Sequence, residues 1–379
     1  MRTVRPFRPT PVPAAVLLAV STYPPVLPRG VVTQLVESAV LAGLGWWAGR
    51  AWRGAPPRPA LVAATAAWVA VTLGWQDAHR AALGMPPVGW VPAVVVATVV
   101  VLAVGRGAVG RRAAAVGGVV LTVVAVTAVA APAVAASAGA SPPPRPVAST
   151  PALRAVHVAV PLGPGAPAER ADAAVRALER AGGVARRTLV VVVPTGSGWV
   201  DPASLATLEA ATGGDVATVA LAYDDAPSWV SYLTAREDAV ATTEALLAAV
   251  ARERPAGSRV LVHGQSLGAL AGAEAWARHP DRADGAFWVG PPADTPTAPV
   301  AGDRPVEVLA HPTDPAAIWG PRLLVVPPDR PTPTPWLPVV SFLQTSVDLL
   351  GAVGAPAGVG HHYGAEQRGG WARLLAATA

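Results

Sequence analysis

Residues 259–276 read RVLVHGQSLGALAGAEAW, a short apolar run that stops at Gly264-Gln265-Ser266-Leu267-Gly268 and continues into small residues. In a Gly-x-Ser-x-Gly turn between a strand and a helix the chain bends so tightly that flanking side chains are excluded, and the serine hydroxyl stands at the carboxyl edge of the sheet. Gly264 and Gly268 meet that demand, and Ala269, Ala271 and Gly272 let the following helix lie close on the strands. A bare match is weak in a chain with 37 glycines. Its place between VLVH and a helical pattern makes Ser266 the candidate nucleophile. Ser197, in VVVVPTGSGW, lacks that setting.

A serine needs a base to take its proton and an acid to orient that base, in the chain order Ser, Asp or Glu, His. The chain has seven histidines. His79 lies in the apolar N-terminal half, His157 and His263 in strand patterns, His279 before a proline at a helix end, and His311 at a strand end. Only GVGHHYG at 358–364 puts histidine in a glycine-rich loop downstream of the serine, and there His361 and His362 compete. For the acid, LAHPTDPAAIW places Asp314 just past a strand. The same residue would also cap a helix begun by Pro315. Asp294 and Asp303 are weaker rivals in irregular Pro-rich sequence. The oxyanion of an acyl intermediate needs backbone donors: the amide of Leu267, next after the serine, and one from the loop after an earlier strand. PTGSGW supplies that loop, with Thr195 or Gly196 as donor; the competing reading is a glycine-rich connection with no catalytic part. This chemistry needs neither a metal nor an organic cofactor. The absence of cysteine excludes thiolate nucleophiles, disulfides and cysteine metal sites together.

The elements that must hold these groups alternate. VHVAV at 156–160 precedes a helical pattern over 167–182; TLVVVV at 188–193 and VATVALAY at 216–223 flank DPASLATLEAAT, where Asp201 caps and Pro202 opens a helix. A long helix is expected over 236–254, then RVLVHG, a helix from 267, GAFWVG at 285–290, VEVLAH at 306–311, and a final helix after the histidine loop. Continuous apolar strands separated by helices imply a mostly parallel sheet covered by helices on both faces.

The N-terminal part differs in kind. Residues 1–150 hold 12 arginines against two acids, Glu37 and Asp77, for +10; the remainder holds 17 against 22, for −5, and together they make the +5 of the chain. Arginines that bracket apolar segments describe a membrane region rather than a nucleic-acid groove, so nucleic acid is not an expected partner. Apolar stretches at 12–27, 31–49, 59–75, 90–105 and 114–136 approach the roughly 17–25 residues of a spanning helix. Pro24 and Pro25 interrupt the first. If all five cross, the arginine-rich connections fall on one side and the chain after 137 lies outside the cytoplasm. With only two acids, a transport pathway has little to run on, and the bundle reads as an anchor. The expected organisation is a transmembrane bundle of four to five helices over 1–137, a Pro/Ser/Ala-rich tether over 138–152, and a catalytic domain over 153–379.

The sequence resembles a bacterial membrane-anchored α/β-hydrolase family common in actinobacteria, in which a helical membrane region precedes a hydrolase-fold domain. The resemblance is carried by STYPPVLPRG at 21–30, PTGSGWVDP at 194–202, APSWVS at 226–231, GQSLG at 264–268, FWVGPP at 287–292, HPTDP at 311–315 and GHHYG at 360–364. The family's Gly-His-Gly-His-x-Tyr-Gly pattern falls on Gly358 to Gly364, which favours His361 over His362. Val359 stands where the family has its first histidine, and Gln265 where it often has Glu. What the resemblance and the residues jointly imply is a membrane-anchored α/β-hydrolase acting on an ester, lipidic or from the cell envelope, with Ser266, His361 and Asp314 as catalytic residues. An acyltransferase using the same three residues, a catalytically silent interaction module and a transporter are the rival expectations. The acyl group and the oligomeric state are not legible. The apolar stretch PWLPVVSFLQTSVDLL at 335–350 reads as core, with an acyl pocket lining as its rival.

Overall fold

The structure, a computed structural model, describes residues 12–49, 59–89, 153–196, 198–297, 304–352 and 354–379. The chain divides into two compact units: Met1–Pro146 with Pro321–Gly351, and Val147–Gly320 with Ala352–Ala379.

The second unit is built on six parallel strands, β1 (Val156–Val160), β2 (Thr188–Val193), β3 (Val216–Leu221), β4 (Arg259–Gln265), β5 (Gly285–Val289) and β6 (Val306–Leu309), in the order β1-β3-β2-β4-β5-β6. Strands buried on both faces read as unbroken apolar runs, and β2 and β3 are buried at every residue. The two-residue period of the side chains then divides them between two layers. Leu189, Val191 and Val193 join Val260, Val262 and Trp288 in a core with α4 (Pro167–Arg180), α7 (Arg236–Glu253) and α8 (Leu267–Arg278). Val190, Val192, Leu261, Phe287 and Val289 pack on the other side against Leu208 of α5 (Pro202–Thr212) and Trp371 and Leu374 of α10 (Gln367–Ala377). Asp201 caps α5 by accepting from Ala203 N at 2.9 Å, with Pro202 in its first turn. A seven-residue helix that the sequence pattern did not announce, α6 (Ser228–Thr234), follows β3.

The first unit contains α1 (Val12–Ser21), α2 (Val31–Gly49), α3 (Pro59–Ala82) and α9 (Val340–Asp348). Its helices are turned inside out. On α2, Val36, Val40, Leu44 and Trp47 are exposed while Gln34, Glu37 and Ser38 are buried; on α3, Val71 is exposed while Thr72, Gln76 and Arg80 are buried.

The expected bundle of four to five spans is not supported. α1 stops at Ser21, ahead of Pro24 and Pro25, so the first segment supplies only 10 helical residues, about 15 Å of rise against a hydrocarbon layer of about 30 Å. Among the described residues one helix, α2, is long and apolar enough to cross a membrane. The last turns of α3 carry Gln76, Asp77, His79 and Arg80. The segments expected at 90–105 and 114–136 and the tether at 138–152 lie outside the described residues. The outward placement of the catalytic domain, which rested on five crossings, loses its footing with them. The structure also groups 321–351, and with it the apolar stretch 335–350, with the N-terminal helices rather than with the sheet.

Candidate active site

Ser266 sits between β4 and α8 with φ 55°, one of two non-glycine residues in the left-handed region among those described. Such a conformation costs about 1–3 kcal/mol and persists only where its surroundings impose it. The surroundings are tight: a Cβ on Gly264 would fall 2.3 Å from the Gly268 carbonyl, and one on Gly268 would fall 2.2 Å from the oxygen of Val193. The Ser266 amide donates to Val289 O at 3.0 Å, tying the turn to the end of β5.

His361 Nδ1 donates to Asp314 Oδ2 at 2.8 Å. Asp314 has no exposed surface, and its other oxygen accepts from Ala316 N at 2.9 Å. No helix begins at Pro315, where the chain makes a turn, so the helix cap expected as the alternative is not formed; one carboxylate oxygen holds that turn while the other serves the histidine. Tyr363 also donates to Oδ2, at 2.6 Å, and its ring stacks on His311 with centroids 4.1 Å apart. His311 in turn contacts Gly360 O at 2.9 Å and Glu366 Oε1 at 3.1 Å. Gly290, the residue after β5, has φ 53°, and a Cβ there would lie 2.9 Å from His361 Cε1. The end of β5 thus touches both Ser266 and His361. No hydrogen bond joins Ser266 Oγ to His361 among the described residues, a contact that in resting enzymes is often long and tightens with substrate.

Three other histidines are engaged elsewhere. His362 is exposed and bonded through Nδ1 to Ala355 O at 2.7 Å. His263 is buried between Ser204 and Phe287 O, its titration pushed down to about 4 by burial. His157 faces Thr218 and Glu209. Asp294 is half-exposed and paired with Arg236 at 2.7 Å, which removes it as the orienting acid. Asp303 and Ser197 lie outside the described residues.

Of the two candidates for the one amide expected from the PTGSGW loop, that of Thr195 is already donated to Trp199 O at 3.0 Å and is not available to an oxyanion. Among the described residues the amides of Gly196 and Leu267 carry no such commitment. Gly196 presses on α6: a Cβ there would lie 2.1 Å from Ser231 Oγ, which itself donates to Asp224 at 2.7 Å. Among the described residues no cluster of three His, Asp or Glu side chains is placed to hold a metal ion.

A parallel sheet of this order, with a serine at a strained strand–helix elbow and a buried His–Asp pair beyond it, defines an α/β fold of the hydrolase type. The chain belongs to the alpha/beta-hydrolase family, whose profile matches residues 162–305 and 301–379, more than half of the sequence. No curated protein matches it in sequence. A solved structure described under LipS and LipT, two metagenome-derived lipolytic enzymes, is 12% identical over 45% of this chain and 69% of that one, with a TM-score of 0.24.

Proposed function

We propose that the protein is a serine hydrolase that cleaves a carboxylic ester. The observation that carries this reading is the bond from His361 to a fully buried Asp314. It fixes the proton on Nδ1, since a carboxylate only accepts, and leaves Nε2 as the proton acceptor of the ring. In this mechanism Ser266 attacks the acyl carbon as its proton passes to His361 Nε2. The oxyanion is held by the amides of Leu267 and Gly196, each donor lowering the barrier by about 3–4 kcal/mol in comparable sites. His361 returns the proton to the leaving alcohol, and water repeats the sequence on the acyl-enzyme.

A lipid or envelope ester is the substrate class we favour. The support is the inside-out character of α2 and α3, whose apolar side chains face outward as they would toward lipid. In the catalytic unit, Trp199, next to the oxyanion loop, and Trp229 and Leu233 of α6 are exposed. We place the protein on a bilayer held by α2.

A fluorophosphonate probe tests the reaction. The full chain in detergent should be labelled, and Ser266→Ala should abolish labelling and turnover of an ester series while keeping its thermal midpoint. Labelling that survives in Ser266→Ala overturns the assignment.

A further inference from the structure

The helical unit contains a buried ionic cluster that the catalytic reading does not use. Arg29, in the link between α1 and α2, donates through Nε to Asp348 Oδ1 at 2.8 Å, through Nη2 to Gln344 O at 2.8 Å, and through Nη1 to Glu37. Asp348 Oδ2 accepts from the amides of Val26 at 2.9 Å and Leu27 at 3.3 Å, so one carboxylate binds both the turn and its arginine. The side chains of Arg29, Glu37 and Asp348 are 2%, 5% and 0% exposed. Gln344 adds bonds from Nε2 to Val20 O at 2.6 Å and Glu37 Oε1 at 3.2 Å.

Gln344 and Asp348 belong to Pro321–Gly351, the stretch of chain between Asp314 and His361. Both ends of that stretch run into the proposed catalytic residues. Before it, the Trp319 amide donates to Pro315 O at 2.9 Å, closing the turn that begins at Asp314. After it, Ala352 O accepts from the His361 amide at 3.1 Å.

We propose that Arg29 and Asp348 are positioning residues for the His361–Asp314 pair: by clamping the chain between acid and base onto the N-terminal helices, they hold the histidine in register. This rests on the serine-hydrolase reading and gives the helical unit a part in catalysis beyond anchorage. A clamp made of ion pairs suits that task better than an apolar contact, because several directed bonds fix position as well as proximity.

The test uses the full chain in detergent with a short, water-soluble ester, the fluorophosphonate probe, and hydrogen exchange at the His361 amide. Arg29→Gln and Asp348→Asn should each lower kcat and the labelling rate by about tenfold or more at unchanged KM, since small misplacements of a catalytic group are costly. The double variant should fall no further than the worse single one, Arg29→Lys should recover part of the loss, and the His361 amide should exchange faster than in the wild type in Arg29→Gln, Asp348→Asn and the double variant. Gln76→Leu, which removes a buried bond from Gln76 to Gln34 within the same helices, is the control and should lower the thermal midpoint without moving kcat. Folded Arg29→Gln and Asp348→Asn with wild-type kcat overturn the proposal, as does an equal loss of kcat in Gln76→Leu. If neither ion-pair variant folds, Gln344→Leu carries the same expectation with a smaller drop, and wild-type kcat there overturns it. A wild-type chain that resists the probe counts against the reaction instead; the His361 amide then decides, and exchange unchanged by Asp348→Asn overturns the clamp.

Discussion

Tyr363 Oη and His361 Nδ1 meet on a single oxygen, Asp314 Oδ2, at 2.6 and 2.8 Å. The phenol donates to Oδ2 while the Ala316 amide donates to Oδ1, so both oxygens of the acid that the histidine faces are held. A hydrogen bond to a charged group contributes about 1.5–3 kcal/mol. Tyr363→Phe keeps the ring stacked on His311 and removes only the hydroxyl. We expect kcat to fall by about tenfold or more with KM little changed, in keeping with that energy; a kcat equal to wild type would remove Tyr363 from the positioning of Asp314.

The adjacent histidines separate by their surroundings. His361 is partly buried against Asp314, whereas His362 is exposed and holds only a loop carbonyl. In one well-studied triad enzyme the loss of the histidine costs on the order of a million-fold in turnover. His361→Ala should therefore lose nearly all ester turnover and His362→Ala should keep most of it. The reverse ranking in steady-state assays would mean that the base comes from the wrong side of the loop.

Sequence made some of this site legible and hid the rest for physical reasons. TLVVVV and RVLVH announce themselves because parallel strands are buried on both faces, and the Ser266 elbow does so because only glycine tolerates the approach of Val193 O to residue 268. Asp314 was nameable from its place after a strand and the histidine loop from its glycines, while the choice of His361 over His362 came from the family resemblance; their shared partner Tyr363 was not nameable, although it sits in the same GHHYG motif, because a tyrosine there is equally good core. The state of the Thr195 amide is invisible to residue type, since it is spent inside its own turn on Trp199 O. The grouping of 321–351 with the N-terminal helices is hidden for a related reason: its apolar period fits any core, and only the partners of Gln344 and Asp348 tell which one. In the N-terminal half, high alanine and valine content made five segments look alike, while Pro24 and Pro25 correctly marked where the first helix ends.

The loop donor can be tested by crowding it. A methyl at residue 196 would meet Ser231 Oγ at 2.1 Å, and Ser231 is itself held by Asp224, so the loop rather than α6 must give way. Removing one oxyanion donor costs about a hundredfold or more in kcat in comparable enzymes. Gly196→Ala should show a loss of that order, with Ser266 still labelled slowly by the probe. Thr195→Gly, which leaves every amide in place, should be far milder; a loss there as large as at Gly196 would show that the shape of the loop, rather than the Gly196 amide, is what the substitutions disturb.

His263 links stability to pH. Its Nδ1–H donates to Phe287 O at 2.9 Å, Nε2 accepts from Ser204 Oγ at 2.8 Å, and burial lowers its titration from the ordinary 6.5 to about 4. Above pH 6.5 the ring is neutral in folded and unfolded chains alike, and its contribution is fully present. As the pH falls from 6.5 toward 4, the unfolded chain takes up a proton that the folded one does not, so stability is lost. Below 4 both forms are protonated and the loss levels off. A shift of this size amounts to about 3 kcal/mol at most. Denaturant midpoints of the wild type should therefore drop between pH 7 and pH 4.5 by more than those of His263→Gln, which keeps a donor and an acceptor but does not titrate. His263→Gln should be less stable than wild type at pH 7 and close much of that gap by pH 4.5. Parallel pH curves for the two proteins would show that some other buried group sets the acid limb.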